Sequence, residues 1–255
     1  MNLNLYSPLS EAYSSKPQKI RVLSESWVNK YIYCPCCGGD INEYENNKPV
    51  ADFYCASCQV DYELKSKKNT MGKKIVDGAY STMIERLKSD SNPNFFFLNY
   101  DKNSFDVTNF IVIPKHFFIP EIIEKRKPLS QKARRSGWVG CNILLDTIPD
   151  SGKIFYIKNG KNNSKDKVLN DWNRTKFLQD SRTLKSKGWL LDIIRCLDEI
   201  GKQSFSLRDI YQFENHLKLK HPENNNILAK IRQQLQILRD RGYLKFQSRG
   251  QYKIR

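Results

Sequence analysis

The chain of 255 residues has no apolar run of about 18 residues or more, the length that a transmembrane helix of ordinary type requires. Residues 1–16 are polar and contain no apolar h-region, so we predict no signal peptide. There is no internal repeat and no low-complexity tract. These absences argue against a membrane-spanning or secreted protein, and we expect a soluble protein of the cytoplasm.

Acidic residues are scarce relative to basic ones. The chain has 27 Asp and Glu against 43 Lys and Arg, a formal net charge of +16. Residues 183–255 hold 15 of these basic residues and 7 of the acidic ones, so less than a third of the chain carries half the net charge. The excess predicts a polyanionic partner, most often nucleic acid. The alternative is that the charge only aids solubility.

Cysteine is present in an odd number, seven, which is unusual for a secreted disulfide scaffold. Cys34 and Cys37 form one CxxC motif, Cys55 and Cys58 form a second, and 17 residues separate the two. This spacing predicts a tetrahedral site in which four thiolates bind a structural zinc ion. Cys36 lies inside the first motif and is interpreted as a bystander. A redox-active pair is the main alternative.

The first part of the chain reads as a mixed α/β or α+β domain, with short apolar segments that suit central strands. Cys141 lies in an apolar segment, and so does Cys196 further on, so we expect both to be buried. The sequence predicts helices over 20–32, 78–90 and 166–179, and strands over 50–54, 61–66, 95–98, 110–113 and 153–158.

The last part of the chain reads as a winged helix. A polar linker is predicted over 180–188, which divides the protein into domains 1–182 and 183–255. Three amphipathic helices and a basic hairpin follow, the arrangement of the winged-helix variant of helix-turn-helix proteins. The helices are predicted over 189–200, 206–219 and 226–241, and the hairpin over 243–254.

The third of these helices presents side chains suited to reading DNA. Arg232, Gln233 and Gln236 lie opposite its apolar stripe, and arginine and glutamine make bidentate contacts to guanine and adenine edges. Arg249 lies in the predicted turn of the wing. A solvated helix face is the alternative for these residues, and many winged helices bind proteins instead of DNA.

Three ionisable residues around the second CxxC motif predict a nuclease site. Asp52 precedes this motif, and Glu63 and Lys65 lie two positions apart on the following strand, on one face of it. Two antiparallel strands joined by the CxxC turn would bring the three side chains together. Carboxylates can hold Mg²⁺ and Lys65 can position water, as hydrolysis of a phosphodiester requires. An exposed charged hairpin is the alternative.

At these residues the chain resembles the DpnI family of methyl-directed type IIM restriction endonucleases. The resemblance spans both domains and is carried by residues 46–55, 62–68, 90–98, 134–143 and 230–240. It implies a PD-(D/E)xK nuclease domain with inserted zinc-binding turns, followed by a winged helix. It also implies cleavage of double-stranded GATC sites in which the adenine is methylated, as part of a restriction-modification system.

Carried over residue by residue, the resemblance implies that Asp52, Glu63 and Lys65 are catalytic. It also implies that the Leu64 carbonyl is a further Mg²⁺ ligand and that the four cysteines of the two CxxC motifs bind zinc. Ala51 replaces the family's usual proline before the first acid. This replacement leaves the site itself unchanged.

A basic segment before the 140s supplies further DNA-binding candidates. Arg134 and Arg135 precede an aromatic residue, Trp138, and suit contacts to phosphates and base edges. Because the methyl group on adenine is apolar, we expect an apolar side chain to contact it, with Trp138 as the candidate. The alternative is that Trp138 belongs to the core.

Two other functions remain possible on the residues alone. One is a DNA-binding regulator with a zinc ribbon, a winged helix and no catalysis, and the other is a degenerate nuclease that only binds DNA. The convergent acids and lysine favour the endonuclease, since a regulator has no need of them. We expect it to act as a monomer.

Overall fold

The computed structural model describes residues 1–8, 12–45, 51–180 and 183–255. The chain forms two compact units. The first unit comprises Met1–Thr147 and Gly152–Asn173, and the second comprises Ile148–Ser151 and Arg174–Arg255. The predicted boundary after residue 182 falls at residues 181 and 182, which lie outside the described residues, so it stays a prediction.

The first unit combines helices and strands, as the sequence indicates. Its elements are α1 (Lys16–Tyr31), β1 (Ile41–Glu43), β2 (Phe53–Cys55), β3 (Asp61–Lys68), β4 (Lys74–Ala79), α2 (Tyr80–Lys88), β5 (Asn94–Tyr100), β6 (Val107–Ile113), β7 (Ile123–Lys125), β8 (Gly140–Leu144), β9 (Ile154–Lys158) and β10 (Lys161–Asn162). Helix α3 (Lys165–Thr175) follows, and its last two residues are assigned to the second unit. The predicted first strand began at Val50, which is outside the described residues.

Seven of these strands form the main sheet, in the order β1-β2-β3-β5-β6-β9-β10. β3 and β5 are parallel and the other neighbours are antiparallel, so the sheet is mixed as predicted. All of β5 is buried, and so is the end of β6 from Phe110 to Ile113. This burial on both faces confirms that the short apolar segments form central strands.

A second sheet, in the order β4-β8-β7, was not predicted. The expected helix over 78–90 is wrong at its start, because Gly78 belongs to β4 and α2 begins at Tyr80. The strand pattern of β4 is hidden because one of its buried positions is an acid, Asp77, and one of its exposed positions is Val76. A strand is recognised in a sequence by apolar residues at alternate positions, and here the acid occupies a buried position and the valine an exposed one.

The second unit contains α4 (Leu184–Ile200), β11 (Ser204–Ser206), α5 (Leu207–Tyr211), α6 (Glu214–Lys220), α7 (Ile227–Asp240), β12 (Leu244–Ser248) and β13 (Gln251–Ile254). Its sheet has the order β11-β13-β12. A three-stranded sheet together with these helices forms the winged helix that the sequence predicts. Among the described residues, no helix is both long enough and apolar enough to cross a membrane.

The predicted linker over 180–188 is wrong in its second half. α4 begins at Leu184, and Thr183 caps it with Ser186 in a reciprocal capping box. Lys187 is buried inside the first turns although its sequence neighbours are polar. Lysine can bury its aliphatic stem against apolar surface, which a charge-based interpretation overlooks.

Two other helices differ from their predicted lengths. The helix predicted over 206–219 is divided into α5 and α6, and that predicted over 166–179 ends at Thr175, with a 3-10 turn over Lys176–Asp180. The apolar stripe of α7 is confirmed, because all of its members are buried. These are Ile227, Ile231, Leu235 and Leu238.

Candidate functional site

The two CxxC motifs form matching turns. In the first, the Cys34 carbonyl accepts a hydrogen bond from Gly38, four residues on, and the Cys34 N–H donates to the carbonyl five residues on. Cys55 makes the same pair of bonds, to Gln59 and to Val60. Gly38 and Gln59 both have positive φ, at 75° and 55°. The left-handed residue closes each turn and directs both of its cysteines to one side.

These turns bring four sulfurs together. Among the described residues, the ligand atoms of Cys34, Cys37, Cys55 and Cys58 all lie within 4.8 Å of one another. The Sγ atoms of Cys34 and Cys58 are 3.5 Å apart, as are those of Cys37 and Cys55. A tetrahedron with Zn–S distances of about 2.3 Å has sulfurs about 3.8 Å apart. The cluster can therefore hold a metal ion of that size, and Cys36 is not part of it.

The cysteine cluster contacts the strand that carries the candidate acids. The Tyr62 hydroxyl lies 3.1 Å from Cys34 Sγ, and its ring stacks on Phe96 with 4.4 Å between ring centroids. Burial raises the pKa of the Cys34 thiol to about 11, so its thiolate needs a cation nearby. Tyr62 is fully buried in β3, directly before Glu63. The cysteine cluster thus anchors the start of β3.

Asp52 lies where β2 leaves β3. β2 pairs with β3 at Asp61 and Tyr62, and the Asp52 N–H donates to the Tyr62 carbonyl. The Asp52 carboxylate then accepts a 2.7 Å hydrogen bond from the Leu64 N–H. The N–H and C=O of one strand residue point to the same side, so the Leu64 carbonyl also faces this edge. Among the described residues, β2 and β3 do not pair beyond Tyr62, so this edge of β3 is not covered by β2 from Glu63 onward.

Glu63 and Lys65 share the other part of this edge. Continuing the register places Asp52 opposite Glu63 and on the same face as Lys65. Lys65 Nζ lies 2.5 Å from Glu63 Oε1 and 2.6 Å from Asp77 Oδ1, which belongs to β4 of the second sheet. Arg86 Nη1 lies 3.8 Å from Glu63 Oε2.

Asp77 was not predicted by the sequence reasoning. Only 5% of its side chain is exposed. The sequence offers one signal for it, an acid directly after the apolar residues Ile75 and Val76. Among the described residues, the four cysteines form the only group of three or more His, Cys, Asp or Glu side chains that could hold a metal ion.

The charges of this cluster influence one another strongly. Burial raises the pKa of Glu63, the Lys65 ammonium opposes the rise, and the charges of Asp77 and Asp52 add to it. Burial lowers the pKa of Lys65, but the carboxylates of Glu63 and Asp77 outweigh it and raise that pKa overall. Close acids in a partly desolvated pocket are stabilised by a cation between them.

The basic segment around residue 134 forms the loop of the β7–β8 hairpin in the second sheet. Arg134 and Arg135 are exposed, and Trp138 is half-buried. The Arg135 guanidinium lies 4.7 Å from the Trp138 ring centroid. A Cβ atom at Gly140 would come within 2.8 Å of the same ring, so the indole packs against this glycine. Trp138 therefore combines a packing contact with partial exposure.

The candidate DNA-binding residues of the second unit are all exposed. Arg232, Gln233 and Gln236 lie on the outer face of α7, and Arg249 lies in the turn between β12 and β13. Arg232 Nη1 donates to the Tyr211 hydroxyl at 3.0 Å. Gln233 Oε1 accepts from Lys230 at 2.7 Å.

Comparison with protein families accounts for almost the whole chain. Residues 1–181 match the model of DpnI, described as the Dam-replacing family, and residues 185–254 match its C-terminal model, described as the Dam-replacing HTH domain. This chain belongs to the DpnI family. Membership confirms the resemblance and the fold class, and it supports a methylation-dependent restriction endonuclease of type II with a DNA-binding helix-turn-helix domain.

The two remaining cysteines are buried, as predicted. Cys141 is fully buried in β8 and Cys196 is 2% exposed in α4. Burial raises the pKa of each thiol to about 12. Both are therefore protonated at neutral pH, which excludes them as ready nucleophiles.

Proposed function

We propose that this protein is a Mg²⁺-dependent endonuclease that hydrolyses double-stranded DNA at GATC sites in which the adenine carries a methyl group on its exocyclic amine. The observation that carries the proposal is the edge of β3, where Asp52, Glu63 and Lys65 meet. Family membership over both units supports the same activity. A nuclease of this kind is expected in the cytoplasm, as a monomer.

The oxygen atoms at this edge suit magnesium. The carboxylates of Asp52 and Glu63 and the carbonyl of Leu64 are hard donors of the kind that Mg²⁺ prefers, and they come from adjacent strand positions. Burial and neighbouring acids disfavour the charge of Glu63, which a divalent cation would offset. When bound, Mg²⁺ would polarise the scissile phosphate and stabilise the charge on the leaving oxygen.

The protein's own side chains provide the other catalytic functions. Lys65 positions the attacking water, whose oxygen forms a bond to phosphorus while the bond from phosphorus to the bridging oxygen breaks. The proton that the water loses passes to solvent, and the leaving oxygen takes up a proton from solvent. Arg86, 3.8 Å from Glu63, would supply a second positive charge at this edge. Asp52 keeps its orientation through the Leu64 N–H, so the carboxylates are arranged before DNA binds.

Zinc is proposed as the structural ion of the four-cysteine cluster. Tetrahedral thiolate sites without an open position contribute folding energy and do not take part in catalysis. Because the second turn joins β2 to β3, zinc would hold Asp52 against Glu63. The zinc site thus serves the catalytic edge indirectly.

Both units are proposed to read DNA. α7 would enter the major groove with Arg232, Gln233 and Gln236 toward the bases, and Arg249 of the wing would contact the backbone. In the first unit, Arg134 and Arg135 would contact DNA, and Trp138 would meet the methyl group. Because Arg135 lies over the indole ring, contact through that face requires the guanidinium to move aside.

Digestion of matched plasmids tests the proposal. One preparation carries methyladenine at every GATC site and the other carries none, and each is incubated with Mg²⁺, with Ca²⁺ or with a chelator. We expect double-strand cleavage only of the methylated plasmid with Mg²⁺. Equal cutting of both plasmids would contradict methyl dependence. Tight binding without cutting under any condition would favour a DNA-binding regulator or a degenerate nuclease.

A further inference from the structure

Lys65 has two carboxylate partners that come from different sheets. Glu63 is its neighbour on β3, at 2.5 Å, and Asp77 lies on β4 of the second sheet, at 2.6 Å. Under the proposed function Glu63 is a magnesium ligand and Asp77 is not. The Lys65 ammonium therefore contacts one carboxylate that would bind Mg²⁺, Glu63, and one that would not, Asp77.

The strand that carries Asp77 has a backbone irregularity directly after this residue. Asp77 pairs with Cys141 of β8, and the register of this pairing shifts between Asp77 and Ala79. A bulge at such a point changes the direction of the adjoining side chains. Among the ion pairs of the described residues, Asp77 takes part only in the one with Lys65. Its burial is thus compensated by this single cation.

We propose that Asp77 is a positioning residue that retains the Lys65 ammonium beside the reacting phosphate when Glu63 binds the metal ion. This inference rests on the proposed function. A divalent cation at Glu63 competes with the ammonium for the same carboxylate and repels it. Lysine is a point charge on a flexible four-carbon stem, so without a second anchor it would leave the site. Asp77 provides that anchor from a separate sheet.

Substitution Asp77→Asn removes the charge and keeps the size of the side chain. Lys65 then has Glu63 as its remaining carboxylate partner, so Mg²⁺ must displace it with no alternative acceptor. We expect Mg²⁺ binding to the free protein, measured by calorimetry, to weaken about tenfold. Single-turnover cleavage at saturating Mg²⁺ should also slow, while affinity for methylated duplex in Ca²⁺ stays unchanged.

A double-mutant cycle distinguishes positioning from a direct effect of charge. In a Lys65→Met background, Asp77→Asn should change Mg²⁺ affinity by less than about twofold, because the side chain through which Asp77 acts is absent. An equal loss in both backgrounds would overturn the proposal, since Asp77 would then act on the cation directly. Unchanged Mg²⁺ binding and cleavage in the single variant would overturn it as well.

Two further variants serve as controls. Glu124→Gln removes another carboxylate of the second sheet that pairs with a lysine, Lys74 at 2.5 Å, and should leave Mg²⁺ binding unchanged. If Asp77→Asn does not fold, Lys65→Met with Asp77→Asn should restore folding, because the buried ammonium that has lost one of its two carboxylate partners is removed as well. Failure of that rescue would contradict the coupling. The calorimetric cycle gives a result even if the wild-type protein cleaves no DNA, so the two proposals fail separately.

Discussion

The Leu64 N–H donates a 2.7 Å hydrogen bond to the Asp52 carboxylate and so fixes that acid at the edge of β3 where β2 departs. The contact joins a residue that precedes the second CxxC motif to one that follows it. Through this hydrogen bond, the backbone of Leu64, which lies between Glu63 and Lys65, orients the carboxylate of Asp52. This contact holds Asp52 beside the strand positions of Glu63 and Lys65.

The first prediction concerns the acid and the lysine of this edge. Asp52→Asn and Lys65→Ala should each reduce the rate of cleavage of methylated plasmid by at least about 100-fold, because preorganised electrostatic contacts of this kind contribute that much to catalysis. Binding of methylated duplex, measured in Ca²⁺ by fluorescence anisotropy, should persist because the reading surfaces are unaltered. Near wild-type cutting by either variant would remove that residue from the catalytic set.

The second prediction concerns the cysteine cluster. Cys55→Ser should lower the zinc content well below one ion per chain and destabilise the first unit, because structural zinc contributes folding energy directly. Metal analysis and thermal unfolding measure the two effects. Cys36→Ser is the matched control, since Cys36 is outside the cluster, and it should retain zinc and stability. Wild-type protein that is folded and active without zinc would contradict the assignment.

The third prediction concerns Arg232 on α7. Arg232→Ala should weaken binding to the preferred site by about 1–3 kcal/mol and relax the preference at one base pair, if the guanidinium reads a base edge. If it contacts phosphate, binding to all sequences should fall equally and the salt dependence should become shallower. Competition binding against site variants at several salt concentrations separates these outcomes. Arg195→Ala, on α4, is the control, because that arginine already pairs with Glu199 at 3.4 Å.

The fourth prediction concerns the extent of the DNA-binding fragment. A fragment of residues 174–255 should be more stable than one of residues 183–255, by about 2 kcal/mol. Within the second unit, Phe177 lies 6.1 Å from the buried ring of Tyr243 and the Arg174 guanidinium lies 4.8 Å from it. Urea unfolding of the two fragments measures the difference. Equal stability would mean that these contacts contribute little.

Binding by the longer fragment gives a second, independent result. It should prefer methylated GATC duplex over the unmethylated duplex if the winged helix senses the methyl group. Equal binding of both at physiological salt would assign methyl sensing to the first unit, where Trp138 is the candidate. A Trp138→Leu variant of the full chain would then test whether an apolar side chain of another shape supports the discrimination.

Features that depend on short spacing along the chain could be predicted from the residues alone. Two residues between paired cysteines suffice to place both sulfurs on one side of a turn, and the four thiols do meet. Glu63 and Lys65 share a strand face because strand side chains alternate. The stripe of α7 follows from the helical period alone, and its members are buried. Local geometry is enough for such predictions.

Contacts with residues far away in the sequence could not be predicted in this way. Asp77 reaches Lys65 because a second sheet packs beside β3, and no spacing along the chain encodes that meeting. A buried acid also breaks the apolar pattern by which a strand is recognised, so β4 stayed hidden. The same holds for Lys187, which is buried in the first turns of α4. The charged residues of this segment suggested a linker. Long-range packing pairs such groups with partners, and the pairing makes their burial tolerable.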